Sequence, residues 1–185
     1  GDFPRAVRIY EQLVALDPAT GGTLSKDLAE RLNMLAVAYE KMGEFDRAEP
    51  IYLRAVATAE SIFGKKHHQT GFRLDNLGVL YEKRGEFDKS VLMHERALAI
   101  FEKSLGPDHK DTGIAQGNLC RLYTRLNDYD RAERIGQRAF ENAERIYGLE
   151  SPQAATAMIN LSSVYDARGD RADAVPLLQL ALILL

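Results

Sequence analysis

Three asparagines keep one step along the chain. Asn76, Asn118 and Asn160 are each followed by leucine, and each is 42 residues from the next. A carboxamide supplies a donor and an acceptor together, which suits it to pair with the main chain of an extended peptide. The alternative is an asparagine that only solvates a surface or bonds its neighbour. Beside the second of them, Arg121 and Arg125 lie one helical turn apart and can meet a ligand carboxylate bidentately. Groups suited to covalent or metal chemistry are sparser. The histidines are His67, His68, His94 and His109. No pair of helix-borne histidines at i, i+4 accompanies a glutamate, so zinc-protease chemistry has no support. No cysteine or carboxylate cluster joins His67 and His68 to make a metal site. His67 and His109 also differ by 42 residues, which points to a shared loop or cap role, with Asp108 as a candidate N-cap. Cys120 matches Gly78, Ala36 and Ser162 in register, a small buried position and not a nucleophile's. Phosphate loops and serine elbows do not occur. The chemistry on offer is recognition; the reading is that the chain is not an enzyme and calls for no cofactor.

The elements that carry these residues repeat. Tyr39, Tyr81, Tyr123 and Tyr165 share the 42-residue step, as do Gly43, Gly85, Asn127 and Gly169, and Ala55, Ala97, Ala139 and Ala181. Gly64, Gly106 and Gly148 mark a second turn in each unit. Within a unit, apolar residues such as Leu28, Leu32, Leu35 and Tyr39 follow steps of three and four, the spacing of a helix with one buried face. Gly or Asn then ends the first helix, where a left-handed residue costs least. Phe45, Phe87 and Tyr129 open the second, and Ala55 and its equivalents are small where two helices approach closely. Gly1 to Ala6 aligns with Gly43 to Ala48, so residues 1–17 read as a second helix without its first. The pattern predicts nine helices in a single array over 1–185. Residues 1–24 hold the orphan helix and its loop, followed by repeats at 25–66, 67–108, 109–150 and 151–185. The last repeat is expected to be truncated, and the whole to be a slice of a longer chain.

The stretch Asn76-Leu77-Gly78-Val79-Leu80-Tyr81, with Gly85, Phe87, Ala97 and their equivalents, resembles the tetratricopeptide repeat, whose common form has a period of about 34 residues. The longer period, with Gly106-Pro107-Asp108-His109 between units, is similar to the kinesin light chain variety. Gly64-Lys65-Lys66-His67 repeats that junction, and Gly148-Leu149-Glu150-Ser151 departs from it. The resemblance implies an all-α, right-handed superhelical solenoid of antiparallel helix pairs, with first helices lining a concave groove. It also implies a protein–protein interaction scaffold that binds an extended peptide or helix there, with Asn76, Asn118 and Asn160 holding the ligand main chain. Met34 breaks that row. The same register places Phe72, Asp75, Val79, Glu82 and Lys83 on the groove in the second unit, Ile114, Gly117, Arg121 and Arg125 in the third, and Thr156, Ile159, Ser163 and Asp166 in the fourth. Phe72, Ile114 and Ile159 would form apolar pockets beside the arginines, which suits an acidic ligand with an aromatic or aliphatic anchor. Against that, Glu30, Glu40, Asp75 and Glu82 make the first two units acidic or mixed. Gly113 and Gly117 either let a ligand backbone approach or accommodate a bulky neighbour. Gly136 reads as a thin spot in the core, filled by a neighbouring side chain.

Composition narrows the partners. Lys plus Arg is 24 against 27 for Asp plus Glu, a net charge of −3, which gives no electrostatic reason to expect nucleic acid. The longest apolar run, Leu180 to Leu185, is far short of a membrane span, and one cysteine excludes a disulfide framework. The expected compartment is the cytoplasm. Terminal repeats normally carry a polar outer face. The apolar last helix therefore predicts end-to-end dimerisation, crystal contacts or fraying. The other readings are a self-associating or intramolecular scaffold, and the regulatory arm of a larger enzyme.

Overall fold

Helix starts recur with the period of the sequence. The computed structural model describes residues 2–19 and 25–184; Gly1, residues 20–24 and Leu185, on which some of the expectations above fall, lie outside the described residues. In chain order the helices are α1 (Phe3–Ala19), α2 (Lys26–Lys41), α3 (Phe45–Phe63), α4 (His68–Arg84), α5 (Phe87–Ser104), α6 (Lys110–Arg125), α7 (Tyr129–Tyr147), α8 (Pro152–Arg168) and α9 (Arg171–Leu184). The nine expected helices are present, with no strand among the described residues. First helices start at Lys26, His68, Lys110 and Pro152, each 42 residues after the last, and second helices at Phe45, Phe87, Tyr129 and Arg171 follow the same step.

Local chemistry sets these boundaries. Gly43, Gly85, Asn127 and Gly169 all have positive φ after a first helix; Asn127, at 59°, is the one described residue other than glycine to do so. Asparagine tolerates that left-handed turn better than other side chains. The first-helix N-caps are Ser25, His67, His109 and Ser151. His67 Nδ1 accepts from Gln69 N and His109 Nδ1 from Asp111 N, each at 3.2 Å. The shared cap role of the two histidines is therefore their own. Asp108, expected as the cap, sits one residue too early and pairs with Arg145 at 2.6 Å.

The chain forms two units, Gly1–Ile100 and Phe101–Leu185. In unit 1, α1, α2, α3 and α4 pack in succession. Leu28 and Leu32 meet Ala55 in the core, with Val14 and Ile51 against them. Ala55 has no exposed surface, as its role at a close helix approach requires. The repeated tyrosine also ties neighbouring pairs together. Tyr81 Oη donates to Glu49 Oε1 at 3.0 Å, and Arg84 Nη1 donates to Glu49 Oε2 at 2.6 Å, which joins α4 to α3.

Unit 2 repeats that device between α8 and α7, where Tyr165 donates to Glu133 at 3.0 Å and Arg168 donates to it at 2.6 Å. Its core holds Ala143, Ala154 and Ala157 with Phe140, and Ala155, Met158 and Ala181 with Ile159, Leu177 and Leu184. The thin spot expected at Gly136 is filled by Cys120, whose Sγ lies 2.7 Å from where a Gly136 Cβ would stand. Unit 1 carries the converse pair at the same register: the His94 ring lies 2.8 to 2.9 Å from where a Gly78 Cβ would be. One volume is thus filled from either helix.

Candidate functional site

Small residues open a cleft of about 480 Å³ in unit 2, between α6 and α8 over a floor from α7. Gly113, Ile114, Gly117, Asn118 and Arg121 come from α6, with Lys110 at its start. Ala139, Asn142, Ala143 and Tyr147 come from α7, and Gln153, Thr156, Ala157 and Asn160 from α8. Such a volume is in the range of small-ligand or peptide side-chain sites. The register explains why it exists. Where unit 2 has Gly113, Gly117 and Ala157, the positions two repeats earlier hold Ala29, Asn33 and Arg73. Arg73 is only 6% exposed, and its Nη1 donates to Gln69 O at 3.1 Å and to Gln69 Oε1. Burial lowers its pKa, partly offset by the charge of Glu30 on α2. In unit 1, then, a buried arginine stands at the register position that unit 2 gives to the small Ala157.

The two glycines differ. A Cβ on Gly113 would stand 2.7 Å from Asn142 Oδ1, so a bulky neighbour accounts for that glycine. Asn142 is held there by donating Nδ2 to Pro107 O. On Gly117 a Cβ would meet only Asn160 Nδ2, at 3.6 Å, an ordinary contact. No packing neighbour among the described residues requires Gly117 to be glycine, and a mid-helix glycine costs about 1 kcal/mol relative to alanine.

Of the residues singled out in the sequence, Ile114, Asn118, Arg121 and Asn160 line this cleft. Ile114 is 58% exposed, and Arg121 Nη2 donates to Asn118 Oδ1 at 3.3 Å. Arg125 is exposed near the end of α6 and is not part of the lining. Ile159 packs against the Ala155, Met158 and Ala181 core. Asn76, Phe72 and Lys83 belong to unit 1. There Asn76 Nδ2 donates to Asn33 Oδ1 at 2.9 Å, a bond to a neighbour across α2 and α4. Phe72 stands edge-on to His68, with centroids 6.1 Å apart. Lys83 Nζ pairs with Glu40 Oε1 at 2.6 Å, and Glu40 also accepts from Tyr52 Oη at 2.7 Å. Sequence reasoning missed Lys110, Asn142, Tyr147 and Ala157. The signal lay in the register: Asn142 interrupts a position held by Thr58, Ile100 and Leu184, and Ala157 replaces the buried Arg73.

Groups able to do covalent chemistry are held away from it. Burial pushes the Cys120 thiol up to about 11, so it stays protonated near neutrality. His94 is buried with Nδ1 2.7 Å from Asp75 Oδ1, and its Nε2 finds no partner among the described residues. No group of three or more metal-ligating side chains occurs among the described residues. None of the described helices is long and apolar enough to cross a membrane.

Comparison with known proteins agrees with the helical register. The family model described as Tetratricopeptide repeat matches residues 27–103, 93–144 and 111–182. Among solved structures, BtubC (BKLC) from P. vanneervenii is 24% identical with a TM-score of 0.89, over 100% of this chain and 73% of that one. A putative kinesin light chain with nearly identical TPR-like repeats, from Podosopora anserina, is 23% identical with a TM-score of 0.87, over 100% of this chain and 87% of that one. MamA is 18% identical with a TM-score of 0.69, over 100% of this chain and 89% of that one. At these identities the likeness is one of fold, an all-α solenoid of antiparallel helix pairs. No curated protein matches significantly. With the family model spanning most of its length and the same helix-pair register in both units, the chain belongs to the tetratricopeptide repeat family.

Proposed function

We propose that unit 2 binds an extended peptide in the cleft between α6 and α8. Tetratricopeptide repeats are generally protein–protein interaction scaffolds and typically not enzymes. The observation that carries the finer reading is Gly117: a glycine that packing does not require, opening a cleft flanked by Asn118 on one wall and Asn160 on the other. Both amides would hold the ligand main chain, and Ile114 would cover its apolar side chain. Arg121, with Arg125 beyond the lining, would read an acidic group. Ile159 is a secondary contact in unit 2; Asn76, Phe72 and Lys83 would serve a separate groove of unit 1, where Asn76 and Lys83 would first have to give up Asn33 and Glu40. No catalytic role, cofactor, nucleic acid or membrane enters the reading, and the proposed compartment is the cytoplasm.

The test is a peptide-library pull-down on the whole chain, with Asn118→Ala/Arg121→Ala and Gly117→Asn run alongside. Ligands sharing a short motif and lost in both variants support the reading. Ligands that survive Gly117→Asn, or no ligand at all, overturn it. A second reading rests on α9, where Val175, Leu178, Leu180, Leu182 and Ile183 are exposed. Such a face favours self-association. A mass that stays monomeric at every concentration removes that second reading.

A further inference from the structure

We infer that the exposed apolar stripe of α9 docks an amphipathic helix of a partner protein, one whose C-terminal turn reads tyrosine–x–x–leucine or tyrosine–x–x–methionine. No α9 residue lines the cleft, so the inference is independent of the peptide reading. The stripe consists of Val175, Leu178 and Leu182, all exposed. In α7 the same positions are Glu133, Gly136 and Phe140, and each faces α8. Glu133 accepts from Tyr165 and Arg168, a Cβ on Gly136 would stand 3.3 Å from Leu161 Cδ1, and Phe140 packs against Ala154 and Ala157. By register, then, the stripe is the surface on which a second helix receives a first helix.

Register also selects the helix. Val7, Val91 and Val175 recur at every second 42-residue step, and Glu49 and Glu133 take the positions between them. The residue three after each repeated tyrosine alternates in the same way: Met42 goes with Val7, Arg84 with Glu49, Leu126 with Val91 and Arg168 with Glu133. Both glutamate cases are ion pairs, Arg84 on Glu49 and Arg168 on Glu133, each at 2.6 Å. In the valine case on α1, Val7 is buried, and the α2 tyrosine finds its acceptor one turn further along, where Tyr39 Oη donates to Glu11. α9 has the valine form. Val175 is followed four residues later by Gln179, whose amide oxygen can accept the same bond. An arginine laid against Val175 would lose water and gain no carboxylate, whereas leucine or methionine there buries apolar surface. A second copy of the chain offers no such helix, because its first helices are already packed against second helices.

The test is fluorescence polarisation on the intact chain with two labelled peptides. One is residues 151–169, which carries tyrosine–x–x–arginine, and the other is the same peptide with Arg168→Leu. The leucine peptide should bind about tenfold more tightly. Val175→Glu in the chain should reverse that order, and Gln179→Leu should weaken the leucine peptide about fivefold. Both positions are exposed, so the helical circular dichroism should be unchanged in either variant. Equal affinities on the unaltered chain, or the same order on Val175→Glu, overturn the inference. Should Val175→Glu fail to fold, Gln179→Leu decides by itself: weaker binding of the leucine peptide supports the docking, and unaltered affinity overturns it. A mass that doubles with concentration while neither peptide binds gives the stripe to a second copy and overturns the inference as well.

Discussion

Gly136→Ala should destabilise the chain although alanine is the better helix former. The structure gives the reason and the remedy. A methyl at position 136 would stand 2.7 Å from Cys120 Sγ and 3.3 Å from Leu161 Cδ1, while Cys120 Cβ lies at 3.8 Å. The sulfur is one bond from its own backbone-anchored carbon and cannot retreat far. Overpacking of this kind costs about 1–3 kcal/mol, against a helix-propensity gain of about 1 kcal/mol. The net expectation is a loss of roughly 1 kcal/mol. Cys120→Ala alone removes the buried sulfur, leaves a gap beside Gly136, and should also cost about 1 kcal/mol. Combined, the two alanines meet at the 3.8 Å Cβ separation, which is ordinary contact, and the new methyl occupies the space of the lost sulfur. The double variant should therefore match or exceed the wild type, a coupling of about 2 kcal/mol where simple addition predicts a loss of that size. Urea melts of the four proteins, followed by far-ultraviolet circular dichroism, measure all the terms. A Gly136→Ala chain as stable as the wild type, or a double variant showing the sum of the two losses, would refute the account.

Two further perturbations probe the interior. Gln116 is 2% exposed with Oε1 unpartnered among the described residues, at the position held by Leu32, Leu74 and Met158 in the other repeats. Gln116→Leu should raise stability by about 1 kcal/mol, read as a higher urea midpoint, and a lower midpoint would contradict the reasoning. Burial holds the proton on Cys120 up to about 11, and burial with Glu11 and Glu49 holds those on Tyr39 and Tyr81 up to about 12. In the unfolded chain these groups ionise near their ordinary values of about 9 and 10, so the folded state binds the extra protons. Stability should be fully present below about pH 9 and fall as the pH rises toward about 12. Cys120→Ala should flatten the first part of that fall, and a midpoint constant across the window would contradict the linkage.

Much of the fold follows from short-range rules that a single sequence displays. The step of three and four residues among Leu28, Leu32, Leu35 and Tyr39 makes α2 a helix with one buried face. Gly85 or Asn127 ends a first helix because that residue itself turns left-handed. Ala55 and Ala181 are small because helix backbones approach there, and both are fully buried. Each of these statements concerns a residue and its neighbours within one or two turns. Periodicity then multiplies the information, since an assignment made once holds at every 42-residue step.

The candidate site was legible only in part, and the same periodicity misleads there. Asn76, Asn118 and Asn160 are equivalent by register, yet Asn76 is bonded to Asn33 while Asn118 and Asn160 flank an open cleft. Register carries Asn33 to Gly117 and Arg73 to Ala157, and those exchanges decide whether space exists. The sequence by itself determined the helices, their order, their turns and the recurrence of the asparagines. Tertiary structure alone decided that Arg73 is buried on α4, that an open cleft stands beside Ala157, and that Ile159 joins the core. Helix and turn formation depends on contacts a few residues apart. A cleft depends on the volume that side chains from separate helices leave between them, and an interior packed to crystal-like density makes that volume sensitive to a single residue.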